Sequence, residues 1–268
     1  MKKILFLGCG KMGAIIAQNL IAEKSFKASQ ITVIKPSSKN KIENISYIKS
    51  SAELPKDYCA DLVFICIKPQ EAQEVLSKFA KGKIFNQNTI FISILAGKKI
   101  AFFEGIFGKK AKIIRSMPNL PIQDSQGIFT YLANNNISTN ELVKLEKIFS
   151  KFGASLALKK EELFDAATAI FGSGPAYIFL LQEIFSQIAQ AHKISKEQSD
   201  ELVKTLFLGS SLMSCNANLN FTQLRESVTS KGGTTQAAIE VLQKNSALEK
   251  LFSDAISAAN NRSKTLSK

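Results

Sequence analysis

The chain has 268 residues, 45% of them apolar and 21% charged. That is room for one large domain or two ordinary ones, with a core that needs no disulfide staples. The formal charge is +13, carried almost wholly by lysine, since Arg115, Arg225 and Arg262 are the only arginines. Base-reading proteins lean on bidentate arginine, and no Lys/Arg block occurs here, so nucleic acid is not an expected partner. The charge reads as a solvated basic surface that suits small anionic ligands. Cys9, Cys59, Cys66 and Cys215 form no CxxC pair and no Cys/His cluster. No metal is therefore expected, and free thiols fit a reducing, cytoplasmic setting. The apolar start ends at Gly8 with no small-residue cleavage site, so it is read as a first strand. The longest uncharged stretch, residues 166–182, is broken by Gly172, Gly174 and Pro175 and is read as buried helix, not a membrane span.

The run over residues 3–7 has the pattern of a buried parallel strand. Gly8-Cys9-Gly10-Lys11-Met12-Gly13 follows at once, and Ala14, Ile15, Ala17, Leu20 and Ile21 then recur at helical spacing. Strand, GxGxxG and helix together are the context of a dinucleotide-binding turn. Gly8 makes the tight turn, Gly10 admits the pyrophosphate, and Gly13 lets helix and strand pack closely, with Lys11 and Met12 lining the same turn. A second strand is predicted over residues 30–34. Its end, Lys35-Pro36-Ser37-Ser38-Lys39, lacks the carboxylate that would hold a ribose 2′-hydroxyl. Lys35, Ser37, Ser38 and Lys39 instead offer charge and donors to a 2′-phosphate. The expected cofactor is NADPH, with NADH possible.

Further strands are predicted over residues 61–67, 89–95, 112–115, 126–132 and 154–158, with helices from 68 to 80 and from 139 to 152. This alternation predicts an α/β fold with a parallel, doubly wound sheet of Rossmann type. Ligands in such sheets bind beyond the carboxyl ends of the strands. Lys68, Pro69, Ala96 and Asn119 fall at such ends and join the candidate cofactor set.

From about residue 160 strand patterns vanish, which divides the chain into a dinucleotide-binding domain, 1–159, and an all-helical domain, 160–268. A helix over 161–171 is broken by Gly172-Ser173-Gly174-Pro175, and others follow to 191 and from Ser195 to 214. The stretch 224–235 is a hydroxyl-rich turn with paired glycines, Gly232 and Gly233, flanked by Thr229, Ser230, Thr234 and Thr235. A helix opening at Thr234 would leave its first amides free for a small carboxylate. Two last helices span 235–244 and 247–267. The apolar helix faces, with Leu180, Leu181, Ile184, Leu202, Leu206 and Leu212, are more than one thin domain comfortably buries and favour an obligate dimer, with a folded monomer core as the alternative. His192, the only histidine, sits near a helix end and is not expected to be catalytic.

Six stretches in order carry a resemblance. They are residues 6–13, Ile67-Lys68-Pro69-Gln70, residues 93–97, residues 115–121, Gly172-Ser173-Gly174-Pro175-Ala176-Tyr177, and residues 224–235 with Arg262-Ser263. Together they resemble the pyrroline-5-carboxylate reductase family. The resemblance implies hydride transfer from NADPH to a cyclic imine, giving L-proline, the last step of proline biosynthesis. The alternative is another Rossmann reductase acting on imines or hydroxy acids. It implies a homodimer, or a higher assembly of dimers, with a small-molecule substrate bound at a site shared across the dimer. The substrate carboxylate is expected on the amides of Gly233, Thr234 and Thr235. Thr235 is the hydroxyl expected near the ring nitrogen, with Ser173 and Ser230 as further catalytic candidates. Glu161 aligns with a substrate-side acid in some members, although a helix first-turn carboxylate explains it equally well. Three positions depart from the family pattern: Lys11 for Asn, Leu120 for Thr, and Lys231 for Pro before the paired glycines.

Overall fold

The structure is a computed structural model and describes residues 3–35, 41–82 and 84–266. Strands β1 (Ile4–Leu7), β2 (Ile31–Ile34), β3 (Ser46–Ile48), β4 (Leu62–Ile65), β5 (Ile90–Ser93), β6 (Lys112–Pro118), β7 (Gly127–Ala133) and β8 (Gly153–Ala157) form one sheet in the order β3-β2-β1-β4-β5-β6-β7-β8. β1 and β4 lie side by side, with Leu7 opposite Ile65, so the order of winding reverses between them. Both strands are buried along their whole length, as their unbroken apolar runs require.

Helices cover both faces. α1 (Lys11–Ala22) and α4 (Thr139–Phe149) pack one side through Ile16, Leu20, Leu145 and Phe149. α2 (Ala72–Ala80) and α3 (Ile100–Phe107) pack the other through Leu76, Phe79 and Phe103. β3 and α3 escape the sequence patterns: β3 is three residues long and no more than half-buried, and α3 has a single buried residue to mark its period.

The sheet is not wholly parallel, which corrects the sequence expectation. β7 runs antiparallel to β6, with Pro118 opposite Phe129, and β8 runs parallel to β7. The physical reason lies in the connection. Residues 119–126 hold only a short 3-10 turn, and a parallel crossover needs a dozen residues or more. Asn119 closes this corner. Its Oδ1 accepts from the Ile128 amide at 2.7 Å and its Nδ2 donates to Phe171 O at 3.1 Å.

The chain divides into two compact units, residues 1–173 with 259–268, and residues 174–258. The sequence pattern puts the change of character at 160. Residues 160–173 nevertheless pack with the sheet unit, because Phe164 of α5 (Leu163–Ala167) is fully buried under Arg115 of β6, whose guanidinium lies 4.2 Å from its ring. A π-turn, Thr168–Gly172, follows α5.

The second unit holds α6 (Gly174–Ala191), α7 (Lys196–Asn216), α8 (Phe221–Ser227), α9 (Thr234–Gln243) and most of α10 (Ala247–Leu266). Within residues 174–258, Val203 is the single buried hydrophobic residue, beside Ser186 and Ser199. Phe179, Leu180, Leu202, Leu206, Leu212 and Leu251 are all exposed. α6 belongs to a helical run, Leu163–Ala191, long and apolar enough to span a bilayer by length and composition.

The β6–β7 corner tolerates no side chain at Gly127, where a Cβ would overlap the Ile122 backbone. Gly127→Ala is expected to lower the unfolding free energy by about 1–3 kcal/mol, read from the urea midpoint at fixed protein concentration.

Candidate active site

The nucleotide turn sits at the β1/β4 switch point. Gly8 leaves β1 with φ +77°, and a Cβ there would stand 2.8 Å from Cys66 O, so the site requires glycine twice over. Its amide donates to Ile34 O at 2.9 Å, closing the turn onto β2. Gly13 meets β4 from the helix side, where an added Cβ would lie 2.9 Å from Cys66 Cβ. Gly10 is different, because nothing lies within 4 Å of the position its Cβ would take. It caps α1 in extended conformation and offers no side chain to the helix amides. The first amides of α1, from Lys11 to Gly13, have no acceptor within the helix and no side-chain cap, the arrangement that receives a pyrophosphate. Lys11 is exposed at the first helical position. The turn thus has the cradle and charge that a dinucleotide needs.

Cys9 and Cys66 are buried around this turn. Burial pushes both thiols above the usual thiol range; at Cys9 the nearby Lys35 charge and a hydrogen bond from Tyr47 pull the other way. They are packing groups, inert as nucleophiles. Among the described residues, no group of three His, Cys, Asp or Glu side chains could hold a metal ion.

The other strand-end candidates fall out as follows. Lys68 is exposed and precedes Pro69, which starts a short 3-10 turn after β4. Ala96 follows β5 in a turn completed by Gly97 at φ +75°. Both border the same end of the sheet as Gly8. Asn119 lies at the end of β6, but its carboxamide is engaged by Ile128 and Phe171. Lys35 follows β2 and its amide donates to Ile48 O at 2.9 Å. Ser37 and Ser38 lie outside the described residues.

Glu161 is held far from a free carboxylate's role. Its Oε1 accepts from Arg115 Nη1 at 2.9 Å and from the Ile100 amide, the first of α3, also at 2.9 Å. Arg115 is 4% exposed, so Glu161 neutralises a buried cation and caps a helix remote in sequence. No spacing rule connects residues 100, 115 and 161; a lone arginine in an apolar strand was the available signal.

The turn before α9 is built by close contacts. α8 already includes Leu224–Ser227, so the turn proper is shorter than the sequence stretch suggested. Gly232 takes φ +73°, and its amide donates to Gln236 Oε1 at 2.7 Å. The Gly233 amide donates to Ser230 O at 3.0 Å, and a Cβ at Gly233 would overlap Ser230 Oγ. Gly233 caps α9 without a side chain, and the first intrahelical bond runs from the Ala237 amide to Gly233 O. The amides left for an anion are those of Thr234, Thr235 and Gln236. Of the three amides expected at the carboxylate, that of Gly233 is already engaged inside the turn. Thr234, Thr235 and Lys231 are exposed on this surface. Gln236, unremarked in the sequence, holds the turn as a glutamine at the third helical position, a capping pattern legible in advance. Ser173 ends the π-turn, its amide donating to Thr168 O at 2.9 Å. His192 is exposed at the end of α6.

A glycine turn at a Rossmann switch point, followed by a helical unit that exposes its apolar faces, defines a dinucleotide-dependent oxidoreductase that works as a dimer. Residues 161–266 match the family model for pyrroline-5-carboxylate reductase dimerisation, and residues 3–97 match that for NADP oxidoreductase, coenzyme F420-dependent. A pyrroline-5-carboxylate reductase from Pseudomonas aeruginosa is 32% identical, over 98% of this chain and 96% of its own. Among solved structures, a Plasmodium falciparum pyrroline carboxylate reductase with NADP bound superposes with a TM-score of 0.87 at 30% identity, over 99% of this chain and 98% of the other. One from Coxiella burnetii gives 0.88 at 29%, over 100% and 99%. The chain belongs to the pyrroline-5-carboxylate reductase family.

Glu161→Ala would leave Arg115 buried without a counter-charge and α3 without its cap. The expected loss is about 3 kcal/mol of unfolding free energy, checked by urea denaturation at fixed protein concentration.

Proposed function

We propose that this chain reduces 1-pyrroline-5-carboxylate to L-proline with NADPH, the closing step of proline biosynthesis, as a soluble cytoplasmic homodimer. The observation that carries the reading is the open glycine turn at the β1/β4 switch point, in a chain that aligns end to end with reductases of this name. Gly8, Gly10, Lys11, Met12 and Gly13 hold the pyrophosphate, with Lys35 towards the adenosine side and Lys68, Pro69 and Ala96 along the neighbouring strand ends. NADPH, when bound, supplies the hydride that reaches C5 of the imine. The protein's own task is to orient two anionic molecules and exclude water.

The substrate carboxylate is assigned to the α9 amides of Thr234 and Thr235, where partial positive charge is concentrated. The Thr235 hydroxyl is assigned to the ring nitrogen, where its oxygen accepts from the N–H of the protonated imine; that proton is already on the nitrogen and stays there in the product amine. A protonated imine carbon is already electrophilic, so no metal or covalent nucleophile is called for. Ser230 shapes the turn through its carbonyl and hydroxyl contacts with Gly233, and Ser173 remains a candidate at the end of the π-turn. Glu161 drops out of the substrate set, since its bound oxygen serves Arg115 and α3. Lys231, in place of the proline the family resemblance leads one to expect, gives up loop stiffness and adds a cation beside the carboxylate amides.

Mixing the protein with the imine and either nicotinamide is expected to consume NADPH faster than NADH. Equal or faster use of NADH would remove the 2′-phosphate argument, and no consumption of either would remove the reaction. Thr235→Val is expected to lower kcat by about 10- to 100-fold with a smaller change in KM for the imine. Lys231→Pro is expected to raise the imine KM by about threefold; an unchanged or lower KM would show that the cation is not used.

A further inference from the structure

The β2–β3 edge of the nucleotide turn carries a side-chain arrangement that the glycine motif does not explain. Tyr47 stands on β3 opposite Val33, two residues before Lys35. Its hydroxyl accepts from the Ile42 amide at 3.0 Å. It also lies close enough to the Cys9 thiol, inside the glycine turn, for each group to influence the other's ionisation. One phenol therefore stands between the incoming segment at Ile42 and the pyrophosphate turn. The face of the same ring carries the Lys41 ammonium, 5.6 Å from the centroid. Lys41 is exposed and makes no salt bridge among the described residues. Lys35 is close enough to Cys9 for its charge to act on that thiol.

Two ammonium groups thus flank the same side of the turn, one on β2's end and one seated on a ring that touches the turn. A Rossmann sheet presents the ribose 2′ oxygen at the end of β2. A lysine held on an aromatic face has less rotamer freedom to lose than a free surface lysine when it meets an anion. The Tyr47 hydroxyl holds the Ile42 amide, next in sequence to Lys41, so the part of Tyr47 is positioning.

We propose that Lys41, seated by Tyr47, is a ligand for the 2′-phosphate of NADPH and so a determinant of cofactor choice. The proposal rests on the NADPH reading above, and the test separates the two. The full-length protein is titrated calorimetrically with 2′,5′-ADP and with 5′-AMP, which differ only in the 2′-phosphate. The wild-type chain is expected to bind 2′,5′-ADP more tightly. Lys41→Gln is expected to weaken 2′,5′-ADP by about tenfold, the scale of one charge-assisted contact, and to leave 5′-AMP within about twofold. Tyr47→Phe, which keeps the ring and removes the hydroxyl beside Cys9 and Ile42, is expected to weaken both nucleotides. If Lys41→Gln leaves the ratio of the two affinities unchanged while the wild-type chain discriminates, the Lys41 assignment fails and the cofactor reading stands. If the wild-type chain does not discriminate, both fall together.

Discussion

The close approach of the glycine turn to Cys66 governs the sheet half of this protein. Gly8 and Gly13 touch Cys66, just past the end of β4, from two directions, one through the turn and one through the first helix, and neither contact leaves room for a Cβ. Both glycines pack on Cys66, the residue that follows β4, and so hold the start of α1 close to the end of that strand. Gly10, between them, is the position with space around it. Tight packing on either side of an empty cradle is what a phosphate site demands, since the backbone itself must be the ligand. The buried, high-pKa thiols at Cys9 and Cys66 belong to the same economy of space: small, apolar and unreactive, they fill the gap beneath the turn without adding charge.

The helical unit follows the opposite logic. Its helices fold as secondary structure but leave their apolar faces uncovered, with a single hydrophobic residue buried between Gly174 and Ala258. An isolated unit of that kind has no core with which to offset its ordering entropy. A second copy supplies the missing layer, in keeping with the dimerisation region matched over residues 161–266. The same reasoning accounts for the apolarity of Leu163–Ala191: a surface that meets another protein needs the composition of a core. Stability and assembly are then coupled.

Much of this was legible in the sequence, and the reasons for the exceptions are specific. Buried strands with unbroken apolar runs, such as β1 and β4, announce themselves, and so does a glycine motif in its strand–helix frame. The start of α9 at Thr234 was equally readable from the paired glycines. The antiparallel β7 was missed because strand direction depends on the length and path of a connection, here residues 119–126, while the pattern of the strand itself stays apolar either way. β3 and α8 were missed because short, exposed elements have no period to read. The pairing of Glu161 with Arg115 and with the Ile100 amide, and the approach of Tyr47 to Cys9, join residues distant in the chain, and only the folded sheet brings them together.

The separation of roles between backbone and side chain explains why so few polar side chains are needed at the reaction centre. Both anionic ends, a pyrophosphate and a carboxylate, are assigned to helix N-termini that no side chain caps, at Gly10 and Gly233. Amide donors of this kind are preorganised by the helix and need no side-chain ordering when the ligand arrives. Side chains are then free to work as struts and anchors: Gln236 holds Gly232, Asn119 holds the β6–β7 corner, and Glu161 holds Arg115. A reaction whose electrophile is an imine and whose hydride comes from a cofactor suits such a design, since the protein contributes geometry and fixed partial charge. The lysine-rich surface fits the same account. With both reactants anionic, a net charge of +13 favours their encounter with the protein whichever residues make the final contacts.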